Sequence, residues 1–389
     1  MMKNIFQTNF DFHARLDRLR TQMNKRNLDC MLVHLWPNQY YVSGFYHHLP
    51  WYPLSLDSST ESPLIIFSDE NEPPIFLCGF LVYNAIKEGT WLEDVRAFDK
   101  ESTLGAMEYL AEVLREKKVD NGNIGLEDEC CTISTYRKLE KALPEAKFHH
   151  ASDVFNLTRS VKDPEEISLI RKAVEIGESS MRVAIEVAKP GVPEIEVQRE
   201  VEIEMRKGGA IREVETMCQS GIRTANYRAF ASEWKKIEKD DLVMVDLGCI
   251  YKGYSSDMTR TWVVGNATDE QKKIANDLYE VHGKLMDFIK PGIQHKEVAS
   301  FAIREMESMG YGSNCHSFPH WRFSFHGLGL GPFHDPPDNH HPDVVLEEGM
   351  VVSIQPGVRH EKFTIRFEDD LLVTPNGVEN LNKIPKELI

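Results

Sequence analysis

The stretch from Leu242 to Thr261 constrains the chain most. A wholly apolar run, Leu242-Val243-Met244-Val245, delivers Asp246; Lys252-Gly253-Tyr254 reverses the chain; a second strand begins at Asp257 and continues as Met258-Thr259-Arg260-Thr261. A hairpin of this kind brings two carboxylates from neighbouring strands side by side. Holding like charges together costs free energy, so the pair needs a cation or a shared proton. The ordinary alternative is that each aspartate caps its own turn. An aspartate that follows four consecutive core residues is less usual in that role, and a metal or proton-transfer site becomes the reading to test.

Length and charge set the frame around that hairpin. A chain of 389 residues has room for two domains at roughly 100–200 residues each. With 41% hydrophobic and 27% charged residues it is an ordinary globular composition, which excludes wholesale disorder. Asp+Glu number 61 against 45 Lys+Arg, a net charge of −16, and this argues against nucleic-acid or anionic-membrane partners, which require a basic face. The seven cysteines are scattered apart from Cys130-Cys131, with no CxxC pair. They support neither a disulfide scaffold nor a thiolate zinc site, and they fit a reducing compartment. The N-terminal residues carry no secretory apolar run, and no stretch approaches the roughly 18 apolar residues of a membrane span. A cytoplasmic protein is expected.

The first part of the chain alternates helical and strand patterns. Phe12 to Arg26 reads as an amphipathic helix; Cys30 to Val33, Tyr40 to Gly44 and Pro63 to Phe67 read as strands; Leu104 to Lys117 returns to helical spacing. A boundary falls near residue 160. There Asp163 is a good N-cap, Pro164 takes the first helical position, and Glu165 and Glu166 complement the helix dipole of a helix running through Ser180. A helix from Glu194 to Lys207 follows, then strands at Leu242–Leu247, Thr259–Val264, Val351–Ile354 and Thr364–Val373, with one more helix over Asp269–Ile289. The expectation is an α/β domain over residues 1–158, then an α+β domain over residues 159–389 with helices segregated from a largely antiparallel sheet. No internal repeat stands out.

Two further clusters join the aspartate pair. Between His316 and Pro337 lie His316, His320, His326 and His334, with glycines at 327, 329 and 331 that let the backbone approach a ligand closely. The Gly-x-Gly-x-Gly pattern lacks the helix and distal acid of a dinucleotide fingerprint. Glu368 interrupts an apolar strand, with Arg366 two positions earlier and therefore on the same face. A buried glutamate needs a partner, and an Arg366–Glu368 pair is one solution. Taken together, Asp246, Asp257, His326 and Glu368 supply hard oxygen donors and an imidazole, a set that suits Mn, Fe, Co or Zn.

These ordered motifs resemble the prolidase/aminopeptidase P/creatinase family of pita-bread enzymes: Asp246 through Asp257-Met258-Thr259-Arg260-Thr261, His326-Gly327-Leu328-Gly329-Leu330 through His334-Asp335, Pro356-Gly357, and Arg366-Phe367-Glu368-Asp369. Tyr40 to Phe45 looks like the family's N-terminal signature, and Arg159 to Ile167 like the opening of its catalytic domain, so the likeness covers nearly the whole chain. It implies a creatinase-like N-terminal domain, a catalytic domain with a curved sheet covered by helices, one or two divalent ions, and a homodimer. By resemblance Asp257 and Glu368 bridge two ions, Asp246 holds one, His326 holds the other, and His334 handles substrate and leaving-group proton. The fifth ligand position departs from the family: Gln355 stands where the peptidases carry a glutamate that both binds metal and accepts a proton. The segment Ser220 to Arg228 departs too, with Asn226, Tyr227 and Arg228 near the place of a substrate-binding histidine. Arg223, Arg228, Tyr227 and Arg366 are the candidates for binding substrate. The resemblance implies a metal-dependent hydrolase of the Xaa-Pro peptidase type, with Gln355 altering or impairing the reaction. The alternatives are a creatinase-like hydrolase or lyase of a small polar metabolite, with the aromatic cluster Phe45 to Tyr52 contributing cation–π recognition, and a catalytically silent binding protein.

Overall fold

The computed structural model describes residues 8–46, 63–98, 105–128, 130–226, 230–312, 324–331 and 343–386. The chain divides into two compact units, Met1–Thr158 and Arg159–Ile389.

The first unit carries strands β1 (Cys30–Val33), β2 (Leu64–Phe67), β3 (Ile75–Gly79), β4 (Asp94–Phe98), β5 (Asn123–Leu126) and β6 (Lys147–His150). They form one mixed sheet in the order β4-β3-β2-β1-β5-β6. Its helices are α1 (Phe12–Lys25), α2 (Trp36–Ser43), α3 (Tyr83–Gly89), α4 (Ala106–Glu116), α5 (Ile133–Ala142) and α6 (Ser152–Ser160). The core lies between the sheet and α4, where Met107, Leu110, Ala111 and Leu114 meet Leu32, Ile65 and Leu77. One expectation is corrected here. Tyr40 to Gly44 is not a strand but the C-terminal part of α2. The buried carboxylate of Glu127 accepts from His34 N at 2.5 Å and Leu35 N at 2.8 Å, satisfying amides at the start of that helix. Pro37 sits in its first turn, and Gly44 ends it in the left-handed conformation at φ 72°.

The second unit begins with α7 (Pro164–Val187) and α8 (Glu194–Lys207), then β7 (Arg212–Ser220), a 3₁₀ turn (Gly221–Ala225), β8 (Leu242–Tyr251), β9 (Tyr254–Ser255) and β10 (Met258–Val263). It continues with α9 (Asp269–Phe288), α10 (His295–Ser308), β11 (Ser324–Gly327), β12 (Val351–Gln355), β13 (Gly357–Arg359), β14 (Thr364–Arg366), β15 (Asp369–Thr374) and β16 (Gly377–Asn380). Asp163 closes a reciprocal capping box with Glu166, and the helix it starts runs on past Ser180 to Val187. Every strand pair in this unit is antiparallel. Helices α7 and α8 cover β7, β8 and β10 through one core; α9 and α10 cover β12, β14 and β15 through another. This is an α/β N-terminal domain followed by an α+β pita-bread domain. No helix among the described residues is long and apolar enough to cross a membrane.

The expected single strand Thr364–Val373 is two strands, broken at Phe367-Glu368. Phe367 N donates to Pro356 O at 3.2 Å and Glu368 N to Thr259 O at 3.1 Å, so the chain crosses from β13 to the edge of β10 at that point. The break sets the site: it lifts Glu368 out of one ladder and places it against the strand that follows Asp257.

Candidate metal centre

Register brings the hairpin residues together. In the β8–β10 pair Thr259 lies opposite Asp246 and Met258 opposite Leu247, which puts Asp257 at the mouth of the hairpin. Thr259 also bridges Glu368 on its other side. In the second sheet Ser324 lies opposite Gln355 and His326 opposite Ser353, with Ser353 opposite Asp370. Alternation along β12 thus presents Ser353 and Gln355 on one face, toward Glu368.

The carboxylate of Glu368 is the hub. It is buried, and it accepts from Thr259 Oγ1 at 2.8 Å, Ser353 Oγ at 2.8 Å, and Gln355 Nε2. His326 Nε2 stands 3.4 Å from Glu368 Oε1 and 3.7 Å from Asp257 Oδ2. Asp257, His326 and Glu368 each offer a donor atom within 4.8 Å of the others, the geometry of a group able to hold a cation. Asp246 is not part of that group of three. Its carboxylate makes a close ion pair with the buried guanidinium of Arg366.

The electrostatics follow from this packing. Burial pushes the Asp257 carboxyl well above the usual range, and the charges of Glu368, Asp246 and Asp370 push it the same way. Burial also raises Asp370, whose Oδ2 accepts from Asp257 N at 2.9 Å. For Glu368 burial again works upward, but the hydrogen bond to His326 and the charge of Arg366 outweigh it and hold the group low. Carboxylates packed this closely, one of them forced toward neutrality, suit a divalent cation, and the donor set of carboxylates plus imidazole fits one.

The structure therefore brings Asp246, Asp257, His326, Gln355, Arg366 and Glu368 into one centre. Two sequence expectations change in detail. Arg366 makes its ion pair with Asp246, because the chain breaks between Arg366 and Glu368 and same-face alternation does not carry across the break. Arg223 already holds an internal carboxylate: its Nε is 3.0 Å from the buried Glu194, and its Nη2 donates to Phe230 O at 2.6 Å. Glu194 also accepts from Ser220 N and Ser232 N, pinning both ends of the 220–232 segment. His334, Tyr227 and Arg228 lie outside the described residues. Sequence reasoning missed Ser353, Thr259 and Asp370. Thr259 had a signal, since it follows Asp257 by two positions in a segment that reads as a strand.

Fold and centre together define a two-domain metallohydrolase with a pita-bread catalytic domain. The comparisons place it more closely. The model of Metallopeptidase family M24 matches residues 168–375, and that of the Creatinase/Prolidase N-terminal domain matches residues 15–161. The chain belongs to the M24 metallopeptidases. It is 32% identical to an Xaa-Pro dipeptidase of Pyrococcus horikoshii over 94% of this chain and 96% of that protein, and 32% identical to an Xaa-Pro dipeptidase of Pyrococcus furiosus over 96% and 99%. Among solved structures, the prolidase of Pyrococcus horikoshii OT3 superposes with a TM-score of 0.83 at 32% identity, covering 97% of this chain and 100% of that one. An Xaa-Pro dipeptidase from Bacillus anthracis gives 0.84 at 28% identity, covering 97% and 99%.

Proposed function

We propose that the protein is an Xaa-Pro dipeptidase, hydrolysing the amide bond that precedes proline in a dipeptide. The observation that carries this reading is the clustering of Asp257, His326 and Glu368 within reach of one cation, in a chain that matches Xaa-Pro dipeptidases over nearly its full length. Catalysis is assigned to residues 159–389, and residues 1–158 form the accompanying N-terminal domain. Asp257, His326 and Glu368 would hold the divalent metal, with Asp246 and Gln355 facing the same centre; Mn, Fe, Co and Zn all suit these donors.

A divalent ion, when bound, supplies Lewis-acid polarisation of the scissile carbonyl and acidifies water. The chain's own residues do the rest. Thr259, Ser353 and Gln355 fix the Glu368 carboxylate by hydrogen bonds, and Arg366 orients Asp246. His334 delivers a proton to the leaving imide nitrogen of proline. Tyr227 and Arg228 take the free carboxylate of the dipeptide, since Arg223 is engaged by Glu194. The family habit of dimerisation and a cytoplasmic location complete the proposal. The test is proline release from Ala-Pro and related dipeptides by protein loaded with Mn(II), set against the same protein stripped by a chelator. Turnover that disappears on stripping and returns with metal is the expected result. Metal-loaded protein that releases no proline, while acting on a small polar metabolite, would overturn the reading in favour of a creatinase-like reaction.

A further inference from the structure

We propose that Asp370 is a positioning residue for Asp257, holding that metal ligand by its backbone amide without touching the ion itself. The inference rests on Asp257 taking part in the metal centre, and it specifies what keeps Asp257 there.

Asp257 stands at a gap in its sheet. Strand β8 pairs with β9 through Ile250–Ser255 and Tyr251–Tyr254, and with β10 from Leu247–Met258 onward. Between those stretches Ser256 N still reaches Cys249 O at 3.0 Å, but Asp257 belongs to neither ladder. Its amide is taken by a side chain from another sheet: Asp257 N donates to Asp370 Oδ2 at 2.9 Å. A backbone donor needs an acceptor, and where the ladder supplies none, the group that does supply one sets the position of the chain. The Asp257 carboxylate therefore reaches His326 and Glu368 from a backbone that Asp370 holds.

Asp370 is mounted to do this. It is fully buried on β15, the strand flanked by β12 and β16, with Ser353 opposite it. Its own N–H donates to Asn382 Oδ1 at 2.7 Å, and its carbonyl accepts from Leu381 N at 2.9 Å, so the segment after β16 grips both backbone groups of residue 370. Asn382 is buried in turn, and its N–H donates to Asn380 Oδ1 at 2.9 Å. The neighbouring Asp369 reaches Arg260 and His282, while Asp370 reaches Asp257, as alternation along a strand requires. The rest of β15 is the apolar run Leu371-Leu372-Val373, so packing alone gives no reason for a second acid. Asp370 lies outside the group of donors able to share one ion. Its Oδ1 is buried with no hydrogen-bond partner among the described residues, which leaves the Asp257 amide as the group this carboxylate serves.

The experiment reads metal affinity apart from turnover. Chelator-stripped wild type, Asp370→Leu, Asp370→Asn and Asn382→Ala are titrated with Mn(II) by calorimetry, and the Tm of each metal-free protein is measured beside it. Leucine fills the site without an acceptor, whereas asparagine restores an oxygen for the Asp257 amide. Partners that orient metal ligands are worth roughly 10–100-fold in affinity, so Asp370→Leu should bind Mn(II) at least about tenfold more weakly, and Asp370→Asn should recover to within about threefold of wild type. Asn382→Ala, which loosens Asp370 from behind, should fall between them. The electron paramagnetic resonance spectrum of bound Mn(II) should change in Asp370→Leu and return in Asp370→Asn. A folded Asp370→Leu with wild-type affinity, whatever its Tm, would overturn the inference, because the role would then be structural only. An Asp370→Asn as weak as Asp370→Leu would overturn it too, by assigning the effect to charge. Where Asp370→Leu does not fold, Asp370→Asn about tenfold weaker than wild type, or Asn382→Ala equal to wild type, overturns it on its own. Proline release by the wild type leaves the dipeptidase reading standing under each of these outcomes. A wild-type chain that binds no Mn(II) and releases no proline overturns both.

Discussion

Removing the Arg260 guanidinium should cost more stability than any single hydrogen bond near the centre. Arg260 Nη2 is 2.6 Å from Asp369 Oδ1, and both side chains are 0% exposed. The same guanidinium donates to Glu368 O at 2.7 Å, Pro385 O at 3.1 Å and Ile384 O at 3.0 Å, tying the metal-centre break to the C-terminal segment. Breaking a buried ion pair from one side costs about 3–5 kcal/mol. Asp369 would keep His282 Nε2 at 3.0 Å, Lys386 Nζ at 3.0 Å and Asn380 Nδ2 at 2.7 Å, which moves the estimate toward the lower end. Stranding three carbonyl acceptors adds back on the order of 1 kcal/mol. Arg260→Met should therefore lose about 4 kcal/mol, lowering Tm of the second unit by roughly 8–16 °C at about 2–4 °C per kcal/mol for a domain of that size. Differential scanning calorimetry reads the shift. Amide exchange at Ile384, whose N–H donates to Glu178 Oε1 at 2.6 Å, should accelerate in the same variant. In an Asp369→Asn background the change should cost less, because an amide needs no counter-charge. A Tm within 2 °C of wild type, or an equal loss in both backgrounds, would refute the reasoning.

Gly248→Ala should disturb the hairpin that carries Asp257, because a Cβ at position 248 would meet the carbonyl oxygen of Ser256. Backbone cannot step aside as a side-chain end can, so a loss of about 1–3 kcal/mol is expected, together with weaker Mn(II) binding by calorimetric titration; unchanged affinity would argue that Asp257 takes no part in holding metal. The first unit should show its own pH dependence. Burial holds His34 down to about 4, and its Nε2 is buried with no hydrogen-bond partner among the described residues. The folded pKa lies below the unfolded value near 6.5, so the unfolded chain binds the extra proton between them. This contribution is complete above about pH 6.5 and is lost as pH falls toward 4. Urea unfolding of wild type and His34→Leu across that window checks it, and parallel slopes in the two proteins would remove His34 as the cause.

Much of the fold was legible because local signals and packing agree. Asp163-Pro164-Glu165-Glu166 announces α7 by capping chemistry alone, and the helix Glu194–Lys207 begins and ends where its sequence says it should. Tyr40 to Gly44 misleads because aromatic and β-branched residues favour a strand in isolation. What makes it helix is the carboxylate of Glu127, which caps α2 from far along the sequence and which no local window contains. A short repeat in the second unit did leave a trace in the sequence: Lys189-Pro190-Gly191 ahead of Glu196-Val197 recurs at the same spacing as Lys290-Pro291-Gly292 ahead of Glu297-Val298, and Gly191 N and Gly292 N make matching bonds to Ile237 O and Leu346 O.

The centre was legible wherever a charge interrupts an apolar run, since burying Asp246 or Glu368 demands a compensating partner. The identity of each partner was not legible. Period-two alternation pairs Arg366 with Glu368 only while the strand continues, and the strand stops at Phe367. Once it stops, Arg366 goes to Asp246, and Glu368 is left to Thr259, Ser353 and Gln355. That redistribution gives the substitution at 355 its consequence. A glutamate there would add a third acceptor beside Glu368 and Asp257 and draw in a cation to balance it. Glutamine instead donates from Nε2 to Glu368 and sets that nitrogen 2.8 Å from His326 Nε2. The neutral amide thus meets the Glu368 charge with a hydrogen bond and brings no carboxylate of its own to the centre.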